Sequence, residues 1–574
     1  MKKKNLMRLL SLGLTAVMAF SCLTGCGKSE STGSESESSA SAQVESKTDA
    51  AEQTGDAAEE ESSTKVTFPL EESVKMSVFV QIRPNVDNFE DNAMTKWLEE
   101  QTNIEFEFVV AESAEVDTKL NLLLSTGEYP DLIMGMNVGS SLQSMYGEEG
   151  VFIPLNDYIE DTTYIKQMFE EYPQVLDSLT MEDGNVYKIP MVNDALHMQS
   201  NHKMFINQVW LDNLGLKMPT TTEEFREVLR AFKEDDPNGN GIADEIPMAG
   251  SPKGWNASVE NFLMDAFVYD PGVQSGAKRL FVQDGQVVAS YTQDAYKEGL
   301  KYIQSLFDEG LIARDSFTMD GQGLKNLAYS SDDVVLGCFP GGAQSNAYTV
   351  TDPQVAEYTA LEPLMGPDGV QTAFYNPYAC IGASGMCITD KCEYPEIAMA
   401  LADLLCSPEG TMWNHSGEQG VDWDWLPEDT DMVGINGKKA RYWAKTMPSD
   451  RMNAYWNQNG PDYLSSDLRL SQAVDPENPT NEVFLYEMTV NRYLPHCPDI
   501  SEILPPLVFN QETQTEISTL AATIDPYVDE MVAAFCLGED IDANWDTFLK
   551  TLEDMGLSKL LGYYQEGLDK YNSK

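Results

Sequence analysis

The stretch Lys75-Met76-Ser77-Val78-Phe79-Val80-Gln81-Ile82 sets Met76, Val78, Val80 and Ile82 on one face at a period of two, so it reads as a β-strand. The pattern then changes. Met94, Trp97 and Leu98 are spaced for a helix, and Ile104, Phe106, Phe108 and Val110 return to the strand period. Leu120, Leu123 and Leu124 give a second helix, broken at Tyr129-Pro130-Asp131, and Leu132-Ile133-Met134 is a short apolar strand. Strand–helix–strand–helix–strand predicts a parallel sheet covered by helices on both faces, the α/β class. Such sheets bind ligands at the carboxyl ends of their strands.

The residues beyond position 64 are too many for one core. A second unit begins near residue 200, where Thr221 and Glu224 form a possible capping box ahead of Phe225, Val228, Leu229 and Phe232 at helical spacing. The C-terminus carries three helical stripes. Ile517, Leu520, Ile524, Val528, Met531 and Phe535 form the first; Trp545, Phe548, Leu549 and Leu552 form the second; Leu557, Leu560, Leu561, Tyr564 and Leu568 form the third.

Towards the N-terminus, Lys2, Lys3, Lys4 and Arg8 precede an apolar run, Leu9 to Leu23, that ends in Leu23-Thr24-Gly25-Cys26. This reads as a secretory leader whose cleavage end resembles that of a bacterial lipoprotein, so residues 1–25 are expected to be removed and Cys26 lipidated. The apolar run is shorter than the ~20 residues a spanning helix needs. Residues 26–64 are Ser, Glu, Ala, Thr and Gly without an aromatic side chain, the composition of a disordered tether. The expected location is the outer face of the cell membrane, with the lipid as the only membrane contact.

Formal charge is −56; with the four leader cations, and the tether's ten acids and two lysines, set aside, −52 remains on the folded part. That field repels nucleic acid and anionic lipid. It also disfavours a strongly anionic ligand unless Arg or Lys lines the site. Seven cysteines remain beyond Cys26. Cys380, Cys387, Cys392 and Cys406 lie close together but lack zinc-site spacing or a nearby His, so buried thiols or one disulfide are expected.

Asp236-Pro237-Asn238-Gly239-Asn240-Gly241-Ile242-Ala243-Asp244-Glu245 places oxygen side chains at loop positions 1, 3 and 5, glycine at 6, a main-chain carbonyl (Ile242) at 7 and a carboxylate at 9. This is the donor pattern of an EF-hand calcium loop. Pro247 replaces the bidentate acid at position 12, and Glu245 is the substitute. Asp236, Asn238, Asn240, Ile242, Asp244 and Glu245 are the candidate ligands of a structural calcium; the alternative is an Asn/Gly loop without metal.

Trp413, Trp423, Trp425, Trp443 and Trp456 crowd a short stretch with Tyr442, Tyr455, Asp422 and Asp424. Flat rings beside carboxylates and amides suit a carbohydrate, whose CH faces stack on rings while its hydroxyls need polar partners. The same rings could equally be core.

Several stretches together resemble extracellular solute-binding proteins of family 1, in the lipoprotein branch that serves oligosaccharide ABC importers. They are 118–132 (TKLNLLLSTGEYPDL), 183–190 (DGNVYKIP), 209–219 (VWLDNLGLKMP), the Asp236–Pro247 loop and the ending from Trp545 to Tyr571. The loop is similar to that of alginate-binding relatives, which hold calcium through the matching positions. Asn207-Gln208 departs from the Arg-Lys that many relatives carry. The resemblance implies a periplasmic-binding-protein-like type II fold: two α/β lobes joined by hinge crossings, with a helical C-terminus. It divides the chain into an N-lobe of 65–192 plus 380–430 and a C-lobe of 193–379 plus 431–574. It further implies a monomer that captures an oligosaccharide between the lobes and delivers it to the permease subunits, without catalysis. Asn193 and Asp194 by the first crossing, Trp255 and Asn256, Tyr375 and Tyr378 by the second crossing, and Trp413, Trp423, Trp425 and Trp443 are the candidate ligand contacts. Two rival readings remain, a membrane-anchored glycosidase or lyase and a surface sugar sensor. The sequence holds no G-x-S-x-G, no H-E-x-x-H and only four histidines.

Overall fold

The computed structural model describes residues 65–113, 115–272, 277–349, 352–446, 451–476 and 480–573. The leader, Cys26 and the tether lie outside the described residues. The strands are β1 (Val74–Gln81), β2 (Ile104–Ala111), β3 (Leu132–Met134), β4 (Ile189–Asn193), β5 (Lys203–Asn207), β6 (Ile246–Met248), β7 (Leu280–Gln283), β8 (Gln286–Ala289), β9 (Leu336–Gly341), β10 (Tyr358–Leu361), β11 (Ile381–Ile388), β12 (Trp423–Trp425), β13 (Tyr442–Ala444) and β14 (Asp462–Leu464).

The opening stretch is β1, and it forms a six-stranded sheet in the order β14-β4-β11-β3-β1-β2. All of these strands run parallel except β11. The two faces of this sheet are covered separately. Met76, Val78, Val80, Leu98, Ile104 and Trp456 share one core, while Phe79, Leu120, Leu124, Ile133 and Cys387 share the other. The helix Ala93–Thr102 is capped by Asn92, whose side chain accepts from the Met94 amide, and it ends at Asn103 in the left-handed conformation.

A second sheet, ordered β10-β5-β9-β6, organises the other lobe. Its β6, β9 and β10 run one way and β5 the other. The helix Thr222–Glu234 starts as predicted, with the Thr221 hydroxyl accepting from the Glu224 amide. The Glu224 carboxylate turns back to Thr220 rather than to Thr221. The helices Gln511–Cys536, Ile541–Met555 and Leu557–Asn572 carry the three C-terminal stripes and share the core of this lobe.

The chain passes between the lobes three times. It leaves β4 at Asn193 and enters β5 at Lys203; it returns from β10 to start β11 at Ile381. The last passage corrects the sequence reading, which closed the first lobe at residue 430. Asp462–Leu464 pairs with β4 in the first sheet, and the Val474 amide still bonds to Val433, so the first lobe continues through the tryptophan-rich segment. The fourth residue into the helix Asn481–Met488, Phe484, already packs on the second core. A stretch rich in aromatic residues gives no period that would reveal which of two cores it joins.

The cysteines Cys338, Cys380, Cys387, Cys392, Cys406, Cys497 and Cys536 are all free thiols. No described helix is long and apolar enough to cross a membrane.

Candidate functional site

All three passages leave or enter the first sheet at one edge: the carboxyl ends of β4 and β14 and the amino end of the antiparallel β11. The second lobe therefore lies off the edge where the parallel strands of the first end. The second sheet obeys the same rule. Lys203, where the chain arrives, pairs with Gly341 at the end of β9, and Met204 pairs with Leu361 at the end of β10. The carboxyl edges of both sheets thus lie on the side where the passages run, where sheets of this kind hold ligands.

On the first lobe this edge is floored by a strap, Trp456 to Pro461, laid across the strand ends. Trp456 is fully buried against Phe89, Phe106 and Phe108, and its indole N–H donates to Thr95 Oγ1 at 2.8 Å. Asn459 Nδ2 donates to the Gln81 carbonyl at the end of β1, and Gly460 exchanges hydrogen bonds with Ser384 of β11. A Cβ on Gly135, just past β3, would stand 1.9 Å from Asn459 Oδ1, and Gly135 has φ +75°; only glycine lets the strap lie this close. Asn457 and Gln458 are both left-handed, at φ 51° and 63°, a conformation costly for a non-glycine residue and concentrated at functional sites. Arg83, two residues past β1, reaches the Gly135 carbonyl at 3.0 Å and Asn459 Oδ1 at 3.5 Å.

On the second lobe, the loop after β6 carries Trp255, an exposed ring at 36%. Gly342, just past β9, would drive a Cβ to within 2.5 Å of that ring, so the glycine seats the indole. The Trp255 carbonyl accepts from the Gly342 amide and from Asn346 Nδ2, which locks the two loops together. Gln344 beside them is buried, and its Oε1 has no hydrogen-bond partner. Asn256 is 2% exposed and left-handed, so it turns the loop rather than presenting a side chain.

Asn193 and Asp194 lie at the first passage, already engaged. Asn193 Oδ1 accepts from Arg469 Nη1 at 2.9 Å, and Asp194 accepts from Tyr172 and Gln199. Arg469 in turn grips Glu482 bidentately, with both contacts at 2.8 Å. Burial works against the Glu482 carboxylate, yet the guanidinium overrides it and holds the acid well below its usual range. Burial, reinforced by Arg469, pushes the neighbouring His415 down to about 3, so its imidazole is neutral. These groups form a hinge cluster.

The other aromatic candidates separate. Trp423 is fully buried with its N–H donating to the Gly417 carbonyl, and Trp413 stacks on Trp97 at 5.2 Å inside the first core. These two correct the expectation of ligand contact. Trp425 and Trp443 stay half-buried on the β12–β13 hairpin, Trp425 edge-on to Tyr442. Tyr375 and Tyr378 line a groove of about 390 Å³ with Tyr269, Phe281 and Ile503, which Ser178 and Ile381 of the first lobe also line. The sequence reading missed Arg83, Gly135, Gln458, Asn459 and Gln344. The run Asn457-Gln458-Asn459-Gly460-Pro461 ahead of a strand was the available signal.

The Asp236 loop folds through side-chain-to-backbone turns. Asp236 Oδ2 accepts from the Gly241 amide, Asn238 Oδ1 from Asn240, and Asn240 Oδ1 from Ile242. Ile242 turns its side chain out, 60% exposed. Glu245 Oε1 is buried without a partner, and burial together with the fields of Asp244 and Asp236 raises the acid above its usual value. Among the described residues no three His, Cys, Asp or Glu side chains stand close enough to hold a metal on their own. Amide and carbonyl oxygens have to complete any site here.

With this geometry in place, residues 93–418 match the family described as bacterial extracellular solute-binding proteins. The chain belongs to that family. It is 26% identical over 517 residues to the fructooligosaccharide ABC transporter substrate-binding protein FusA of Streptococcus pneumoniae, covering 88% of this chain and 92% of FusA. FusA has been solved in complex with kestose, and that structure superposes with a TM-score of 0.71 at 25% identity, over 87% of this chain and 99% of FusA. An EF-hand mutant of FusA has also been solved, with fructo-nystose. A solute-binding protein associated with an HMO-binding ABC transporter of Bifidobacterium longum infantis gives a TM-score of 0.74 at 22% identity, over 87% of this chain and 99% of that one. The lipoprotein LipO of Bacillus subtilis is 31% identical over 246 residues, 42% of this chain and 44% of LipO. The type II two-lobe fold of this solute-binding family agrees with the expectation from sequence.

Proposed function

We propose that this solute-binding protein is the surface receptor of an oligosaccharide ABC importer. Trp255 carries the reading: an exposed ring, seated by a glycine, on a loop at the carboxyl edge of the second sheet. The ring covers a CH face of one sugar unit. Gln458, half-buried and left-handed, supplies a polar partner for hydroxyls. The lobes close on the ligand by rotation about the three passages, and the closed form presents it to the permease unaltered. Membership of the family and the likeness to FusA support this reading.

The same proposal includes anchoring through Cys26 and a structural calcium in the Asp236 loop. The inward-turned oxygens of Asp236, Asn238 and Asn240, and the partnerless Glu245 oxygen, fit a hard cation. Bound there, calcium offsets the mutual repulsion of Asp236, Asp244 and Glu245.

The test is calorimetric titration of the purified folded part with defined oligosaccharides, followed by chromatography of each mixture. Binding with every ligand recovered intact supports the receptor. Shortened or unsaturated products would overturn it in favour of an enzyme. Unimpaired uptake of each bound sugar after gene deletion would favour a sensor.

A further inference from the structure

Nine arginines fall among the described residues, in a chain with 93 acids. Arg226, Arg230, Arg279, Arg441, Arg451 and Arg469 each have a carboxylate within 4.0 Å. Arg314 is exposed to water, and Arg492 is spent on the Ala360 carbonyl and Thr359. Arg83 is different. It is partly buried at the crevice edge, its described partners are one carbonyl and one amide oxygen, and burial is the only influence on its charge, lowering its affinity for the proton. A guanidinium shielded from water and given no counter-charge is costly, and a fork of five donors is built to take a planar anion.

The second lobe also carries a cation on the loop that follows β6. Lys253, in the loop that carries Trp255, is exposed and takes part in no ion pair among the described residues. Neither Arg83 nor Lys253 has a carboxylate partner among the described residues. The strap explains how Arg83 stays unpaired: Gly135 and Asn459 fill its near side and leave its Nη1 without a partner among the described residues.

We infer that Arg83 makes this receptor selective for oligosaccharides bearing a carboxylate, such as uronates, with Lys253 assisting from the second lobe. The inference rests on the receptor reading above and refines it. The guanidinium takes the sugar carboxylate as a charge-assisted pair inside the closed crevice, where water no longer screens it. The protein's own negative field slows the approach of such a ligand, and salt lessens that penalty.

The experiment uses trisaccharides matched in linkage and differing only at C6, a hydroxymethyl in one and a carboxylate in the other: glucan against glucuronan, galactan against galacturonan, mannan against mannuronan. Kd is measured calorimetrically for the wild type, Arg83→Gln, Arg83→Lys and Lys253→Gln, with thermal melting as the folding control. The expected result is at least a ten-fold preference for the acidic member of one pair. Arg83→Gln erases that preference and leaves the neutral Kd within two-fold, Arg83→Lys restores part of it, and Lys253→Gln reduces it. Should Arg83→Gln not fold, a weakened preference in folded Arg83→Lys supports the inference, and an undiminished preference in that variant overturns it. Neutral trisaccharides bound while their acidic partners are rejected overturns the inference and leaves the receptor standing. No glycan bound at all overturns both.

Discussion

Replacing Glu482 by Gln breaks the brace of the third passage. Arg469 belongs to the first lobe and Glu482 to the helix that opens the second lobe's side, and the guanidinium also holds Asn193 on the first passage. The side chains are 13% and 18% exposed, so water replaces little of what is lost. Gln keeps one acceptor, forfeits one of the 2.8 Å contacts and leaves a buried cation without its counter-charge. Breaking a buried pair in this way costs about 3–5 kcal/mol. At a slope of ~5 kcal/mol/M, steeper than in small proteins because the slope grows with the surface exposed, the urea midpoint falls by ~0.6–1 M. The Glu482 carboxyl is depressed in the folded state, so its contribution is complete above the unfolded acid's pKa and is lost as pH falls below it. The destabilisation by Glu482→Gln is therefore largest at neutral pH and shrinks through the acid range. The double variant Arg469→Met/Glu482→Leu removes both charges and should recover most of the loss. A Glu482→Gln midpoint indistinguishable from wild type at pH 7 would refute the account, because it would mean that the pair is solvated.

Trp255→Ala removes the exposed stacking face and should weaken oligosaccharide binding by about ten-fold or more, the worth of ~1.5 kcal/mol of ring contact, while the protein stays folded; calorimetry and a melt together check both. Gly135→Ala sets a Cβ against Asn459 and lifts the strap, so affinity falls while both cores survive; near-wild-type Kd would count against the strap as floor. Lys203 is buried without a carboxylate partner and burial lowers it to about 7, so between there and the unfolded value the unfolded chain binds more protons and stability rises with pH, by up to ~1.4 kcal/mol per unit. Lys203→Met flattens that rise in denaturation curves taken from pH 7 to 10. Chelation should lower the melting temperature of the wild type and leave Asp236→Ala/Glu245→Ala unaffected; no change in the wild type counts against calcium in the loop.

The first sheet was legible because β1 and β2 alternate apolar and polar residues, and the intervening helix carries its own period. The capped helix at Thr222 was legible for a similar local reason: Thr221 and Glu224 declare the start within one turn. The tryptophan cluster misled because burial and sugar stacking select the same side chains. Trp423 and Trp413 are core, while Trp255, isolated in sequence, is the exposed ring. Arg83 could not be recognised from sequence, since its meaning lies in the absence of an acid. That absence depends on Gly135 and Asn459, which are 52 and 376 positions away along the chain.

Trp456 supports the strap from within the core. Trp456 drives its ring between Phe89, Phe106 and Phe108, and this anchor fixes one end of the strap while β14 fixes the other. Between two immobile ends the left-handed turns at Asn457 and Gln458 become affordable, since the core contacts outweigh backbone strain of about 1–3 kcal/mol per residue. A polar surface set this way keeps its geometry before any ligand arrives, so less of the binding free energy is spent on ordering it. Rings in the core and amides at the surface are consequently parts of one device, and the sequence writes them side by side because the chain must pass directly from one to the other.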